Sequence, residues 1–444
     1  MNAWPRLALL LLALIASAVA HAKLVVMHGY ADIASALVWV QAEAEGPIRV
    51  TWQVVGAQRD ESVTLYALAG NDHVVVARLT GLIAGVPATY RIEGDGDVRE
   101  GSVRAQPSWR NTKAALPITI AIGSCFFLPD GPRASGDDDY GGGYEIFDAI
   151  AAKAPDVMLW LGDNLYYQRA DFFDPVSMAS RHRRQRAFAP LQRLLTATTH
   201  IAIWDDHDYG PNDANSAYPL KGESLALFKR YWANPSYGLP ETPGVFGLAP
   251  YGDVDIVLLD DRYYRSHPRM PNGPSKAMFG VAQLHWLKNA LLSARAPIKL
   301  IANGSQWWNA ASSFEGLYQY PDEQKDLASF LLAQRIDGLI FLSGDRHFGE
   351  LLRVPRDDAY PLFEFTSSPL TAGPWVEPEA PERNNPQVVS GTLVGKRQFG
   401  LIRISGPGDA RQIALESYDQ TGALLWRHEI AASDLRFARK PKLQ

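Results

Sequence analysis

A single cysteine, Cys125, occurs in 444 residues, so no disulfide can form within the chain. A strong charge of one sign is also missing. The net charge is −5, which leaves no global basic field to hold nucleic acid. Beyond residue 22 no apolar run is long enough to cross a bilayer. Internal repeats and low-complexity tracts are absent as well. What remains is ordinary globular composition, 47% hydrophobic and 20% charged, enough for a sizeable core without covalent staples.

The first 22 residues read as a secretory signal peptide: Arg6, an apolar stretch over 7–19, and the small-x-small site Ala20-His21-Ala22. Cleavage after Ala22 is expected, with a secreted or periplasmic chain beginning at Lys23 and carrying no transmembrane segment. An exported protein that keeps one thiol raises a question. Cys125 is a small buried apolar residue, half of an intermolecular bridge, a reactive thiol or a metal ligand.

Residues 23–107 alternate apolar and polar in short runs, as in "IRVTWQVV" and "HVVVARL", with Gly, Asn and Asp between them. "LTGLIAGVPATYRIEGDG" looks like the corner of a fibronectin III-like β-sandwich, where a Leu and a later Tyr pin a turn between sheets. Residues 108–117 read as a linker. From 118 to about 440, apolar strands alternate with amphipathic helices, which predicts an α/β catalytic domain with strands buried on both faces. The strand-like pieces after Leu351 are expected to close a second sheet.

Five of these strands end in polar residues of an unusual mixture. "AIGSC" ends in Cys125, "LWLGDNLYY" in Asp163 and Tyr166, and "IAIWDDHD" in Asp205, Asp206, His207 and Asp208, with Asn212 beyond. "LIANGSQ" ends in Asn303 and Gln306, and "IFLSGDRH" in Asp345 and His347. Ligands gather beyond the carboxyl ends of strands in open α/β sheets. Several carboxylates brought together would each cost several kcal/mol to bury unpaired; cations remove that penalty. Two ions about 3.5–4 Å apart clamp a phosphoryl group, one activating water and the other stabilising the leaving side. A nearby His that is not a ligand can protonate the leaving oxygen. Each fragment alone is weak, because a lone "DDH" is more often a surface pair and a lone "GD" a turn. Their occurrence in order, each after an apolar strand, is specific.

On these motifs the sequence resembles the alkaline phosphatase D (PhoD-like) branch of the calcineurin-like metallophosphoesterases. The resemblance implies a four-layer α/β/β/α sandwich, preceded here by the small all-β domain, and the activity of a metal-dependent phosphoric ester hydrolase. Carried over by position, it makes Cys125 and Tyr166 ligands of a first ion and Asp163 the bridge between two ions. Asp206 stands where the superfamily has a bridging Asn, His207 at the acid–base histidine, and Asn212 at a second-ion ligand. Asp345 and His347 become ligands whose partition between the ions stays open. Fe3+ with Ca2+ is the preferred pair. Thiolate and phenolate suit ferric iron or Zn2+ at the first site, and oxygen ligands suit Ca2+, Mg2+ or Mn2+ at the second. Arg262 and Arg265 of "LLDDRYYR" match the family's Asp-x-Arg-x-x-Arg stretch. They hold substrate phosphate or form a structural ion pair.

There are departures: Asp208 replaces a common Glu, and Gln306 stands where the superfamily has a histidine. The expected partner is a small-molecule or lipid phosphate ester, and a monomer is expected. Phosphodiesterase or phospholipase action in the same site is the nearest alternative. Serine hydrolysis through Ser124 or Ser343 with His347 lacks a G-x-S-x-G elbow, and a non-enzymatic surface binding protein would leave the ligand set without a reaction. "RHRRQR" (181–186) reads as a solvated helix face, or else as a rim that steers anions. Trp307 and Trp308 read as core, or else as flanks of an organic leaving group, and "FARKPKLQ" (437–444) as a solvated tail, or else as a contact with anionic lipid or wall polymer.

Overall fold

The computed structural model describes residues 23–109, 116–131, 140–408 and 410–438, and every count below refers to these. The expected leader (1–22), most of the linker, the acidic run before Tyr140 and the last six residues lie outside them. No helix among the described residues is long and apolar enough to cross a membrane.

The N-terminal region is a two-sheet antiparallel β-sandwich. Strands β1 (Val25–Ala31), β2 (Ala36–Gln41) and β5 (Val74–Leu79) form one sheet; β3 (Gly46–Val54), β4 (Glu61–Ala67), β6 (Pro87–Gly94) and β7 (Asp97–Arg104) form the other. β3 alternates buried and exposed residues, as a strand with one wet face must. β2 is buried throughout. Val38 and Val40 point into the sandwich core, while Leu37 and Trp39 pack with Tyr231 and Trp232 of the following domain. The sandwich therefore shares a core with its neighbour instead of hanging from a linker. The expected turn-pinning pair is present in altered form: Leu82 is buried, and the Tyr90 hydroxyl lies 2.9 Å from His28 Nε2 on β1, across the two sheets.

The second region holds two six-stranded sheets packed face to face. The first runs β10 (Thr199–Ile203), β9 (Val157–Leu161), β8 (Ile118–Gly123), β17 (Gln398–Ser405), β18 (Gln412–Asp419), β19 (Leu424–Ala431). The second runs β11 (Gly247–Leu248), β12 (Val254–Leu258), β13 (Ile298–Ala302), β14 (Leu339–Ser343), β16 (Leu362–Thr366), β15 (Glu350–Val354). Ile120, Leu159 and Ile203 of the first sheet share one core with Ile256, Leu300 and Leu342 of the second. Helices α1 (Ile146–Ala152), α2 (Pro175–Arg186), α3 (Gln192–Ala197) and α5 (Lys221–Tyr231) cover the outer face of the first sheet. Helices α6 (Val281–Ser293) and α7 (Pro321–Ala333) cover the second. Short α4 (Asp206–Tyr209) and α8 (Ala380–Arg383) sit on loops. The four α/β/β/α layers agree with the expectation.

One expectation needs correction. The late strands do not all close the second sheet. β16 does, parallel to β14, but β17 returns to pair antiparallel with β8 and brings β18 and β19 with it. Apolar periodicity identifies a buried strand and is silent about which sheet receives it.

The basic run at 181–186 is a solvated face only in part: Arg183 and Arg184 reach solvent, while the side chains of Arg181 and Arg186 are largely buried. Asp174 caps α2, accepting from the amides of Val176 and Ser177. His182, Gln185 and Arg186 then face inward. Arg181 pairs with Asp130 and Asp171, Arg184 with Asp130, and Arg183 with Asp72 of the sandwich. The buried Arg186 stacks on Trp232 at 3.9 Å and donates to the Tyr231 carbonyl. Every charge of the run has a partner, at the surface for Arg183 and Arg184 and inside for Arg186.

Candidate active site

The strand-end residues meet at one edge of the paired sheets. β8, β9 and β10 run parallel in one sheet, and β13 and β14 in the other, so all five carboxyl ends open onto the same place. The loops beyond them are tied together. The Cys125 amide donates to the Gly162 carbonyl and the Gly344 amide to the Gly304 carbonyl. Approach is so close that a Cβ on Gly344 would lie 2.6 Å from that of Ser124, and one on Gly304 would lie 2.5 Å from the Asp205 carboxyl carbon. Only glycine fits there.

Four of the expected ligands hold left-handed backbone: Cys125 at φ 59°, Asp163 at 50°, Asp345 at 67° and His347 at 54°. For residues with a Cβ this conformation is uncommon and costs about 1–2 kcal/mol each. Such strain persists only where the surroundings over-determine it, and it concentrates at functional sites. Asp213, at φ 58°, shares the feature.

The donor atoms form an overlapping chain of clusters, each with ligand atoms within 4.8 Å of one another. The clusters are Cys125–Asp163–His347, Asp163–Asp206–His207, Asp205–Asp206–Asp345 and Asp206–Asp213–Glu315. Asp163 belongs to two of them. One of its oxygens accepts from Tyr166 at 3.2 Å and lies 3.6 Å from Cys125 Sγ; the other accepts the His207 amide at 3.1 Å. His347 Nε2 is 3.2 Å from the Tyr166 hydroxyl, and its Nδ1 is 2.8 Å from the Gly373 carbonyl oxygen. The half-buried His207 ring stacks on Tyr166 with centroids 4.1 Å apart. Ser368 donates to Cys125 Sγ at 3.1 Å.

Asn212 is exposed on the loop after α4, next to the likewise exposed Asp213. The same loop contributes the Asp213 amide, which donates to Asp206 at 2.7 Å, and the Asp213 carboxylate. Asp208 is a brace. It closes a capping box with Asp205 and accepts from both the amide and the side chain of Asn164, locking the "DDHD" turn to the "GDN" turn. Gln306 turns away to donate to Glu350 and Thr366.

The arginines are corrected in favour of the ion-pair reading. Arg262 and Arg265 are fully enclosed, with no exposed side chain. Arg262 binds Asp205 and, at 2.6 Å, Glu315; Arg265 binds the other oxygen of Glu315 at 2.8 Å. Both guanidiniums are occupied inside the protein, so the substrate-phosphate role does not follow from their placement. Glu315, which unites them with the acidic cluster, was not singled out in the sequence. It lies in no strand-end motif, and the segment "SSFEG" carries no signal beyond one acid.

Electrostatics set this edge apart. Burial pushes the Cys125 thiol up to about 11 and the Asp345 carboxyl up to about 7. Burial, then the charges of Asp206, Cys125, Asp208 and Asp345, hold Asp163 well above the carboxylate range. Burial also opposes charge on Asp206, but His207 and Arg262 outweigh it and hold that group below its ordinary value. Burial lowers His207, against the pull of Asp206. Asp206 Oδ1, Asp205 Oδ2 and Asn303 Oδ1 are buried without a hydrogen-bond partner. Unpaired buried acceptors are costly, and together with a thiol, a phenol, carboxyls and imidazoles they make a donor set that fits metal ions.

A profile of the PhoD-like phosphatase family matches residues 132–406. The chain belongs to that family. Its fold is similar to the solved structure of PhoD, with a TM-score of 0.73 and 18% identity over 91% of each chain. It is also similar to purple acid phosphatase PPD1 from seeds of yellow lupin (Lupinus luteus), with a TM-score of 0.65 and 12% identity over 92% of this chain and 75% of that one. At these identities the likeness establishes the metallophosphatase fold. No curated protein matches the chain by sequence. The family is one of phosphoesterases, and the fold is that of the metallophosphatases.

Proposed function

We propose that the protein is an exported, metal-dependent phosphoric ester hydrolase. The observation that carries this reading is the position of Asp163, with one carboxylate oxygen among Cys125 and Tyr166 and the other against the His207 amide. Cys125, Tyr166 and His347 would hold one ion, Asp206 and Asp345 a second, and Asp163 both, with iron and calcium the pair that suits these donors. When bound, such a pair neutralises phosphoryl charge and lowers the pKa of water to supply the nucleophile.

The chain's own groups do the rest. The His207 backbone amide donates to Asp163, and stacking on Tyr166 holds the ring beside the cluster. Asp206 favours the protonated ring and burial opposes it more strongly, so the acid role rests on the ring's place beside the cluster, from which it can deliver a proton to the leaving oxygen. Asp208 and Asn164 keep the two turns in register. His207→Ala is expected to slow alkyl phosphate esters ~10²-fold or more while sparing p-nitrophenyl esters, whose leaving group needs no proton. Equal losses on both would contradict the acid role.

One observation favours a diester over a monoester as substrate. A monoester brings an extra charged oxygen, yet both site arginines are committed to Asp205 and Glu315. Hydrolysis of bis-p-nitrophenyl phosphate in preference to p-nitrophenyl phosphate is the expected outcome.

A further inference from the structure

The aromatics flagged in the sequence, Trp307 and Trp308, are core, at 1% and 8% exposure. A different pair faces solvent beside the site. Phe314 and Trp375, 36% and 37% exposed, pack edge to face with centroids 4.7 Å apart. Each is anchored to the site from its own side. Phe314 immediately precedes Glu315 of the acidic cluster, and the Trp375 amide donates to the His347 carbonyl at 2.7 Å.

The pair is also held from below. The Arg346 guanidinium, buried and paired with Glu382, lies 4.6 Å from the Phe314 ring centre and 5.7 Å from that of Trp375. Cation–π contact and the ion pair fix both rings before anything binds. Val376, 72% exposed, extends the apolar surface. An exposed apolar patch rimmed by polar groups marks a contact site, and a preset aromatic pair loses little side-chain freedom on binding.

We propose that Phe314 and Trp375 form the subsite for an apolar organic arm of the phosphate ester, the arm retained on phosphorus while the leaving oxygen faces His207. This rests on the hydrolase reading above and adds a specificity determinant to it. An aryl or acyl-bearing arm covers the two rings.

The test compares two diesters with one leaving group, phenyl p-nitrophenyl phosphate and methyl p-nitrophenyl phosphate, on the metal-loaded full chain. Because the chemistry at the leaving oxygen is the same, the kcat/KM ratio reports the retained arm. A ratio of about 10 is expected, corresponding to roughly 60 Å² of extra apolar surface covered. In Phe314→Ala/Trp375→Ala the ratio should fall toward 1, and in Trp375→Leu, which keeps apolar packing on Arg346, to an intermediate value. A ratio unmoved in both variants, or a parent ratio near 1, overturns the subsite. A merely structural role would lower both rates together and leave the ratio in place, which also overturns it. Turnover of neither diester nor of any monoester by the parent would instead sink the hydrolase reading, and the subsite with it.

Discussion

Two groups of buried acids stand side by side at the sheet edge, built from the same residue type, and they differ in what balances them. Around Arg262 the carboxylates of Asp205 and Glu315 meet two enclosed guanidiniums. Burial opposes charge on Glu315, but Arg262 and Arg265 outweigh it and hold the group below its ordinary range. Around Asp163 the potential anions Cys125, Tyr166, Asp206 and Asp345 are faced by the imidazoles of His207 and His347, and burial with the charges of the anions drives Asp163 well above its range. Glu315 is paired from both sides within the protein, whereas Asp205, beside Arg262, keeps one buried oxygen without a partner. The Asp163 group has two imidazoles near it, and Arg262 only at 3.8 Å from Asp206. Crowded acids alone therefore do not separate an ion pair from a candidate ion-binding site; the balance of cations around each acid does.

The sharpest way to break this contrast is to remove the internal cation. Arg262→Met should strand Asp205 and Glu315 and destabilise the fold by about 3–5 kcal/mol, the usual cost of splitting a buried pair. A chemical denaturation midpoint measures it; a shift within error would mean the pair is not what stabilises that edge. Asp163→Asn tests the other group and should do the reverse. Hydrolysis is expected to fall on the order of 10³-fold, as when an electrostatic stabiliser of the transition state is lost, and bound iron and calcium should drop in elemental analysis. The stability of the chelated protein should hold or rise, since a repelling charge is gone.

A smaller effect follows from pH. Asp345 has an ordinary pKa of 3.8 and is raised to about 7 in the fold. In the metal-free protein it is a protonated acid below pH 4, and its contribution to stability is lost as pH climbs through about 7. Ligands must lose protons to bind cations, so metal affinity climbs over the same interval. The gap in melting temperature between loaded and chelated protein should thus widen from pH 4 to pH 8. A constant gap would separate Asp345 from the metal site.

Much of this arrangement was legible from residue order. Apolar runs ending in "GSC", "GDNLY", "WDDHD", "NGSQ" and "SGDRH" located five strands and the edge they open on, because a buried strand must be apolar and its end is where polar groups emerge. Glu315 was not legible, nor was Asp213, since neither ends an apolar run and each becomes part of the cluster only through loop packing. Asn212 and Asp213 are adjacent and both exposed, and Asp213 joins the cluster through a left-handed turn that no local pattern signals. The basic run in α2 was misread in part for a related reason: its partners Asp72, Asp130 and Asp171 are up to 111 residues away in sequence.

By itself the sequence determined that a thiol, a phenol, carboxyls and imidazoles would emerge at the ends of buried strands, because periodicity and strand ends are local properties. Only the tertiary structure decided which acids already had a counter-ion. That follows from distances between segments far apart in the chain, and in a buried site it is those distances that separate an ion pair from an ion-binding site.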